Sequence, residues 1–295
     1  MSLFTLATLA DASAGPKPAR LAVIGHPVGH SLSPQMHQPA LDEAGIDARY
    51  VALEVEPGEV ARAFTRMREL GFIGCNVTVP HKFEALEACD EIDDTARSFG
   101  AVNTVRFDAD ATRGTNTDGQ GFEQAVKEAL GLDLPGAAVA IFGAGGGAGG
   151  AIAAHCARRQ VGRLVLVNRT LSKIETLAGP LRERHPDLDL HLVAADAIDE
   201  PGNLELVRSA ALLVNTSSLG LKDDDPSPIP VGCLTSRHAV FDTIYHPTAL
   251  LKAAGDIGAV HANGSLMLLH QGVAAFRYWF PDRDPEAAMR RGLLG

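Results

Sequence analysis

Short apolar runs separated by glycine-bearing polar turns alternate along this chain with stretches whose apolar spacing is that of a helix. Strands are predicted at Leu21–Ile24, Arg49–Glu54, Phe72–Thr78 and Val102–Phe107, with helices at Pro34–Ala44, Pro57–Leu70 and Lys82–Ala88. A helix over Gly119–Leu130 leads into the punctuation Gly131-Leu132-Asp133-Leu134-Pro135-Gly136. The strongly apolar Ala138–Phe142 then opens a second series of strands, Arg163–Val167, Ala211–Asn215, Ala239–Asp242 and Gly258–His261, spaced as in a doubly wound parallel sheet. Ser265–Phe280 is the last long helical pattern. Before these elements, Met1 to Arg20 predicts a short helix and a linker, with Pro16 and Pro18 marking the entry to the first strand. Its apolar stretch Leu3–Ala10 lacks the basic segment of a secretory leader, and no run in the chain is long enough to span a bilayer.

Gly143-Ala144-Gly145-Gly146-Gly147-Ala148 follows the strand Ala138–Phe142 directly and precedes a helix over Gly149–Arg159, which is the context a dinucleotide-binding G-x-G-x-x-A loop requires. Gly143 permits the turn, Gly145 lets the backbone approach a pyrophosphate, and Ala148 allows close packing of helix on sheet, with the phosphate at the helix N-terminus. This marks the second series as a Rossmann-type unit. After its second strand, where NAD sites usually carry an acid for the ribose 2′-hydroxyl, stand Asn168-Arg169-Thr170 with Lys173 close behind. An arginine there can stack beside adenine and pair with a 2′-phosphate, so the expected cofactor is NADP(H).

Composition narrows the class without naming it. At 295 residues, 46% hydrophobic and 21% charged, the chain is long enough for two domains of ordinary size. A net charge of −10 argues against nucleic acid as a partner. Cys75, Cys89, Cys156 and Cys233 are too scattered for a metal or redox pair and read as reduced filler thiols. His26 and His30 are four apart, but Pro27 and Gly29 between them forbid the helix that would align them on a metal; neither a metal site nor a catalytic histidine is expected. The acidic run Asp223-Asp224-Asp225 reads as a solvated loop.

Four further segments place polar groups where strands end. Gly25-His26-Pro27-Val28-Gly29-His30-Ser31-Leu32-Ser33-Pro34-Gln35-Met36-His37 leaves the first strand and sets Ser31 and Ser33 at a helix N-terminus, Ser33 reading as N-cap and Pro34 as first helical residue, a place to hold a carboxylate. Gly74-Cys75-Asn76-Val77-Thr78-Val79-Pro80-His81-Lys82 presents Asn76, Thr78 and Lys82; Gly100-Ala101-Val102-Asn103-Thr104 and Gly114-Thr115-Asn116-Thr117-Asp118-Gly119 add Asn103 and Asp118. On these segments the chain resembles the shikimate dehydrogenase family, which reduces 3-dehydroshikimate to shikimate with NADPH in chorismate and aromatic amino-acid biosynthesis and also includes quinate/shikimate dehydrogenases. The likeness runs from about Leu21 to about Phe280.

The resemblance implies two α/β domains: a substrate-binding catalytic domain of residues 1–120 and 263–295, to which the C-terminal helix returns, and an NADP-binding Rossmann domain of residues 121–262. Hydride transfer between a nicotinamide and a secondary alcohol needs a proton handled at the oxygen, and Lys82 beside Asp118 is suited to it, with either group able to move the proton. By the same resemblance Ser31 and Ser33 bind the substrate carboxylate, Thr78 assists nearby, and Asn103, Asp118 and Gln271 bond the ring hydroxyls. Asn76 either touches substrate or braces the loop, and Tyr245 falls at the cleft. Thr216, Ser217 and Ser218 end a strand on the cofactor side, and Ile244, Gly264 and Met267 match positions near the nicotinamide. The serine pair favours shikimate, because relatives accepting quinate often have threonine at the second position. The expected protein is a cytoplasmic enzyme, monomer or homodimer, without a nucleic-acid or membrane partner. A quinate-preferring NAD enzyme and a non-catalytic shikimate/NADPH sensor are the alternatives.

Overall fold

The computed structural model describes residues 3–222 and 224–295. Asp223, which opens the acidic run, lies outside the described residues. The chain divides into two compact units, Met1–Gly121 with Leu268–Gly295, and Phe122–Met267.

The first unit begins with β1 (Leu3–Thr5), α1 (Leu9–Ser13), β2 (Ala19–Gly25), α2 (Ser33–Glu43), β3 (Arg49–Glu54), α3 (Val60–Glu69), β4 (Gly74–Val77), α4 (Lys82–Ala88), β5 (Glu91–Ile92), α5 (Asp94–Phe99), β6 (Thr104–Phe107) and β7 (Thr112–Thr115). Its seven strands run in the order β1-β3-β2-β4-β6-β7-β5. β1, β3, β2 and β4 are parallel, whereas β6 is antiparallel to both β4 and β7, so the sheet is mixed. β2 and β4 sit at its centre and are almost wholly buried, as an apolar run covered on both faces requires. The N-terminal stretch departs from the expected helix and linker: Leu3–Thr5 adds an edge strand to β3 before the helix begins.

The chain leaves the first unit along α6 (Asp118–Leu130). The second unit continues with β8 (Ala138–Phe142), α7 (Gly147–Arg158), β9 (Arg163–Asn168), α8 (Leu171–Arg184), β10 (Leu190–Ala194), α9 (Pro201–Arg208), β11 (Leu212–Asn215), β12 (Ala239–Asp242), α10 (Ala249–Asp256) and β13 (Val260–Ala262). Its six strands are all parallel, in the order β10-β9-β8-β11-β12-β13. The order reverses between β8 and β11, and ligands of such sheets bind at the carboxyl ends of the strands beside that point.

α11 (Ser265–Trp279) brings the chain back, and α12 (Glu286–Leu294) ends it. In the first unit α12 lies on α2, where Gln35 Nε2 donates to Gly292 O at 2.8 Å. Beneath α2 the fully buried His37 ring stacks on Tyr50 of β3, with centroids 4.4 Å apart, and lies near Phe276 and Trp279 of α11. Trp279 Nε1 donates to Val105 O at 2.9 Å, fixing α11 against β6. Burial holds His37 neutral, its pKa pulled down from 6.5 to about 3.

Candidate active site

Lys82 opens α4 and Asp118 opens α6, both in the first unit. Lys82 Nζ donates to Asp118 Oδ2 at 2.6 Å, with the two side chains only 12% and 7% exposed. An aspartate at the first turn of a helix ordinarily spends its oxygens on the helix's own N–H groups. Here Asn116 does the capping, its Oδ1 accepting from Asp118 N at 3.0 Å, and the Asp118 carboxylate is turned instead to Lys82 and to Asn103 Nδ2, which donates to Oδ1 at 2.8 Å. In that arrangement Asp118 is no ordinary N-cap and Lys82 no solvated lysine.

A buried web of neutral groups stands behind the pair. Asn103 Oδ1 accepts from Thr117 N at 2.8 Å and from Thr104 Oγ1 at 2.9 Å, and its Nδ2 reaches Thr117 Oγ1 at 3.1 Å as well as Asp118. Asn76, one strand over, donates from Nδ2 to Thr104 Oγ1 at 3.1 Å and to Asn103 O at 3.4 Å, while its Oδ1 accepts from Tyr50 Oη at 2.6 Å. Both amide protons of Asn76 are therefore spent within the protein, so of its two possible roles the geometry supports the brace. Thr78 follows β4 half-buried, its backbone N–H donating to Ile24 O.

The strand-end loop after β2 differs from expectation in one detail. Leu32 already has helical φ and ψ and is the N-cap; Ser33 is the first helical residue, and its N–H is taken by Ser31 Oγ at 3.3 Å. The two hydroxyls still stand together at the start of α2, where the helix dipole favours an anion. Ser33 is buried close to the Tyr50 hydroxyl, whose own ionisation burial pushes well above the usual phenol range. Gln271 in α11 donates from Nε2 to Leu268 O and lies on Gly121, where a Cβ would come within 2.7 Å of the Gln271 backbone N. Gly121, one turn after Asp118, thus lets α11 meet α6. Tyr50, Thr104, Asn116, Thr117 and Gly121 were not singled out from sequence. Asn116 and Thr117 stood inside the quoted segment, and Tyr50 was visible as the one phenol of the strand Arg49–Glu54.

In the second unit the glycine loop lies at the carboxyl end of β8. Gly143 and Gly145 have φ of +84° and +103°, the left-handed region that glycine enters without strain. A Cβ on Gly143 would lie 2.6 Å from Ser217 N, and one on Gly145 would meet Lys173 Cβ at 3.0 Å. Gly146 is the N-cap of α7 and Gly147 its first residue, so the helix starts two residues earlier than predicted. Gly149 packs as closely, its Cβ position 2.6 Å from Thr216 Oγ1. Ala144 is buried within the loop, and its carbonyl accepts from Asn168 Nδ2. Asn168 Oδ1 accepts from Thr170 N at 2.8 Å, leaving Arg169 and Lys173 exposed past the end of β9, with no carboxylate paired to either among the described residues.

The other cofactor candidates sit on the loops after β11 and β12. Thr216 Oγ1 donates to Phe142 O, and Ser217 N and Oγ both donate to Asn215 Oδ1, at 2.9 and 2.7 Å; Ser218 follows, exposed. Ile244 and Met267 are buried, Gly264 N donates to Ile244 O at 2.9 Å, and Tyr245, 45% exposed, accepts at its carbonyl from Asn263 Nδ2. Of the acidic run, Asp224 is exposed and Asp225 is bonded within its own loop. Asp225 Oδ2 accepts from Gly220 N at 3.0 Å and Lys222 N at 3.1 Å, and those bonds hold its carboxyl below the usual range. All four cysteines are free. Among the described residues no three His, Cys, Asp or Glu side chains form a group able to hold a metal ion, and no helix is long and apolar enough to cross a membrane.

A parallel sheet in this order with a glycine turn at its switch point, joined in one chain to a buried lysine–aspartate pair among hydroxyls and amides, defines a nicotinamide-dinucleotide-dependent oxidoreductase. Residues 23–105 match the model of the shikimate dehydrogenase substrate binding domain. The chain is 39% identical over 282 residues to a shikimate dehydrogenase (NADP(+)) of Symbiobacterium thermophilum, covering 93% of both chains. It superposes on the crystal structure of shikimate dehydrogenase from Aquifex aeolicus with a TM-score of 0.84 at 34% identity, over 96% of this chain and 100% of that one. A shikimate 5-dehydrogenase from Thermus thermophilus, in complex with NADP(H) and shikimate, gives 0.78 at 34% identity, over 93% and 100% of the two chains. The chain belongs to the shikimate dehydrogenase family.

Proposed function

We propose that this chain catalyses the reversible, NADPH-dependent reduction of 3-dehydroshikimate to shikimate, with Lys82 and Asp118 handling the proton at the C3 oxygen. The observation that carries the reading is the 2.6 Å contact between Lys82 Nζ and Asp118 Oδ2, buried in a wall of neutral donors and acceptors. NADP(H), when bound, supplies or accepts the hydride at C3. In the reducing direction the Lys82–Asp118 pair gives one proton to the C3 oxygen as C3 gains the hydride, and regains it from solvent; in oxidation the same pair takes the hydroxyl proton. Lys82 has three N–H donors and spends one on Asp118, so two remain for a substrate oxygen. Asn103 and Asn116 hold Asp118 on either side of that contact.

Ser31 and Ser33 hold the substrate carboxylate at the start of α2, with Thr78 beside them. Asn103, Asp118 and Gln271 bond the ring hydroxyls, Asn76 braces, and Tyr245 adds a further substrate contact. The residues present also fit the cofactor. Gly143 and Gly145 leave a cradle that any Cβ would fill, and the exposed Arg169 and Lys173 have the charge a 2′-phosphate needs, which a carboxylate at that place would repel. Gly146 caps α7, Gly147 and Ala148 offer backbone N–H groups, Asn168, Thr170, Thr216, Ser217 and Ser218 line the loops, and Ile244, Gly264 and Met267 face the nicotinamide. Cytoplasmic residence, which rests on composition, and a monomeric or homodimeric state belong to the same proposal.

The test is an assay crossing shikimate and quinate against NADP+ and NAD+, read at the nicotinamide absorbance band. The highest kcat/KM is expected for shikimate with NADP+. Preference for quinate with NAD+ overturns the substrate and cofactor assignment, and binding without turnover overturns catalysis.

A further inference from the structure

Asp242 is fully buried at the carboxyl end of β12, and no lysine or arginine forms an ion pair with it among the described residues. Burial without a cation raises its pKa above the usual carboxylate value, in spite of the donors around it. Those donors come from two different loops. Oδ1 accepts from Ile244 N at 3.1 Å and from Asn215 Nδ2 at 2.9 Å, and Oδ2 accepts from Thr248 Oγ1 at 2.8 Å. Asn215 in turn holds the start of the loop after β11, its Oδ1 accepting from Ser217 N and Oγ and its Nδ2 also reaching Leu219 O at 3.2 Å.

The loop tied on one side by Asn215 packs on the glycine turn, since a Cβ at Gly143 would lie 2.6 Å from Ser217 N. The loops after β11 and β12 also meet each other: Gly220, at φ +106°, leaves 3.1 Å from its missing Cβ to Ile244 Cδ1 and 3.0 Å to Thr248 Cγ2. For fold stability alone a buried carboxylate lacking a cation is a poor choice, because a well-packed apolar residue avoids its desolvation. A carboxylate does what no apolar residue can: it accepts from three donors at once and so fixes two segments in one mutual arrangement.

We infer that Asp242 is a positioning residue for the cofactor, its carboxylate and the Asn215 amide together locking the loop that carries Thr216 to Ser218 to the loop that carries Ile244, against the glycine turn. The inference rests on the cofactor reading proposed above. Asp242→Ala removes all three bonds and raises the Kd for NADPH, titrated by its fluorescence, about tenfold or more. Asp242→Asn keeps Oδ1 for Asn215 and Ile244 and offers an N–H to the Thr248 hydroxyl, so its Kd stays within about threefold of the parent. Asn215→Ala weakens NADPH in the same direction, and the double variant Asp242→Ala/Asn215→Ala is little worse than either single one, because both cut one connection. The Kd for shikimate, whose assigned contacts other than Tyr245 lie in the first unit, stays within about threefold of the parent in all of them.

An Asp242→Ala protein that binds NADPH like the parent overturns the inference, as does an Asp242→Asn protein as weak as the alanine variant. Should Asp242→Ala fail to fold, Asn215→Ala with an unchanged shikimate Kd and a raised NADPH Kd carries the case, and a parental NADPH Kd there refutes it. Arg169→Ala run beside them separates the two readings. If it leaves NADPH binding untouched the cofactor site is misplaced; if it weakens NADPH while the Asp242 and Asn215 variants do not, only the positioning role falls.

Discussion

Replacing Lys82 with alanine removes the ammonium that sits 2.6 Å from Asp118 Oδ2. A positioned general acid or base contributes about 10²–10⁴-fold to a proton-coupled step, or roughly 3–5 kcal/mol of barrier. The loss falls on kcat, because the ammonium's interaction with the C3 oxygen strengthens as that oxygen gains charge. Ground-state affinity loses one hydrogen bond, less than about tenfold in the shikimate Kd. Removing one partner of a buried pair also strands the other, but Asp118 keeps Asn103 Nδ2 on Oδ1 and its place at the start of α6, so the destabilisation is at most about 3 kcal/mol. Steady-state assays with shikimate and NADP+ give kcat; titration calorimetry gives the shikimate Kd; urea unfolding confirms that the variant is folded. Asp118→Asn lowers kcat by a comparable factor, and the double variant is little worse than either single one, since the two groups act as a unit. A Lys82→Ala enzyme within tenfold of parental kcat, or strictly additive losses in the double variant, refutes the reasoning.

Arg169→Ala weakens NADPH by about 10–100-fold, the worth of a charge-assisted contact to a dianion, and NADH hardly at all; equal losses for the two cofactors refute the 2′-phosphate assignment. The buried His37 makes the fold acid-sensitive. Its folded pKa is depressed to about 3, so the unfolded chain takes up a proton near pH 6.5 that the folded one refuses. Its contribution is therefore complete above that pH and is lost as pH falls toward 3, by about 1.4 kcal/mol per pH unit. His37→Phe keeps an aromatic ring against Tyr50 and removes this slope; urea unfolding from pH 7 to pH 4 compares the two proteins, and parallel curves contradict the account.

Elements whose side chains alone settle their state were legible, among them Arg49–Glu54, Lys82–Ala88, Ala138–Phe142 and Ala239–Asp242, which form with the bounds read from sequence. Elements settled by neighbours were not. Thr112–Thr115 has no apolar alternation and becomes a strand because β6 offers it a partner; Glu91–Ile92 is two residues pairing with it in turn. Leu3–Thr5 is too short for periodicity to separate strand from helix. At the sites, the positions were legible and the bonding was not. Ser33 carries an N-cap residue type, yet Ser31 Oγ takes its N–H. Whether Asn76 reaches outward or inward depends on the Tyr50 hydroxyl, which arrives from a strand far away in sequence.

One local pattern, unremarked in sequence, organises both units. Asn116-Thr117-Asp118, Asn168-Arg169-Thr170, Asn215-Thr216-Ser217 and Asn263-Gly264-Ser265 each follow or end a strand, and in each the asparagine Oδ1 accepts from the backbone N–H two residues on, at 3.0, 2.8, 2.9 and 3.1 Å. This Asx turn fixes the chain as it leaves the sheet. The amide nitrogen is left to reach a second segment: Ala101 O from Asn116, Ala144 O from Asn168, Asp242 Oδ1 from Asn215 and Tyr245 O from Asn263. Asparagine carries its acceptor and its donor on separate atoms of one short planar amide, so it serves both segments at once. Aspartate would make the turn but lose the second bond, and would add a charge whose field falls on the groups that must exchange a proton or hold a phosphate. Neutral braces at the strand ends thus leave the formal charges at Lys82, Asp118 and Arg169, where chemistry and recognition use them. Asp242 is a brace of another kind, a carboxylate on which three donors from two loops converge.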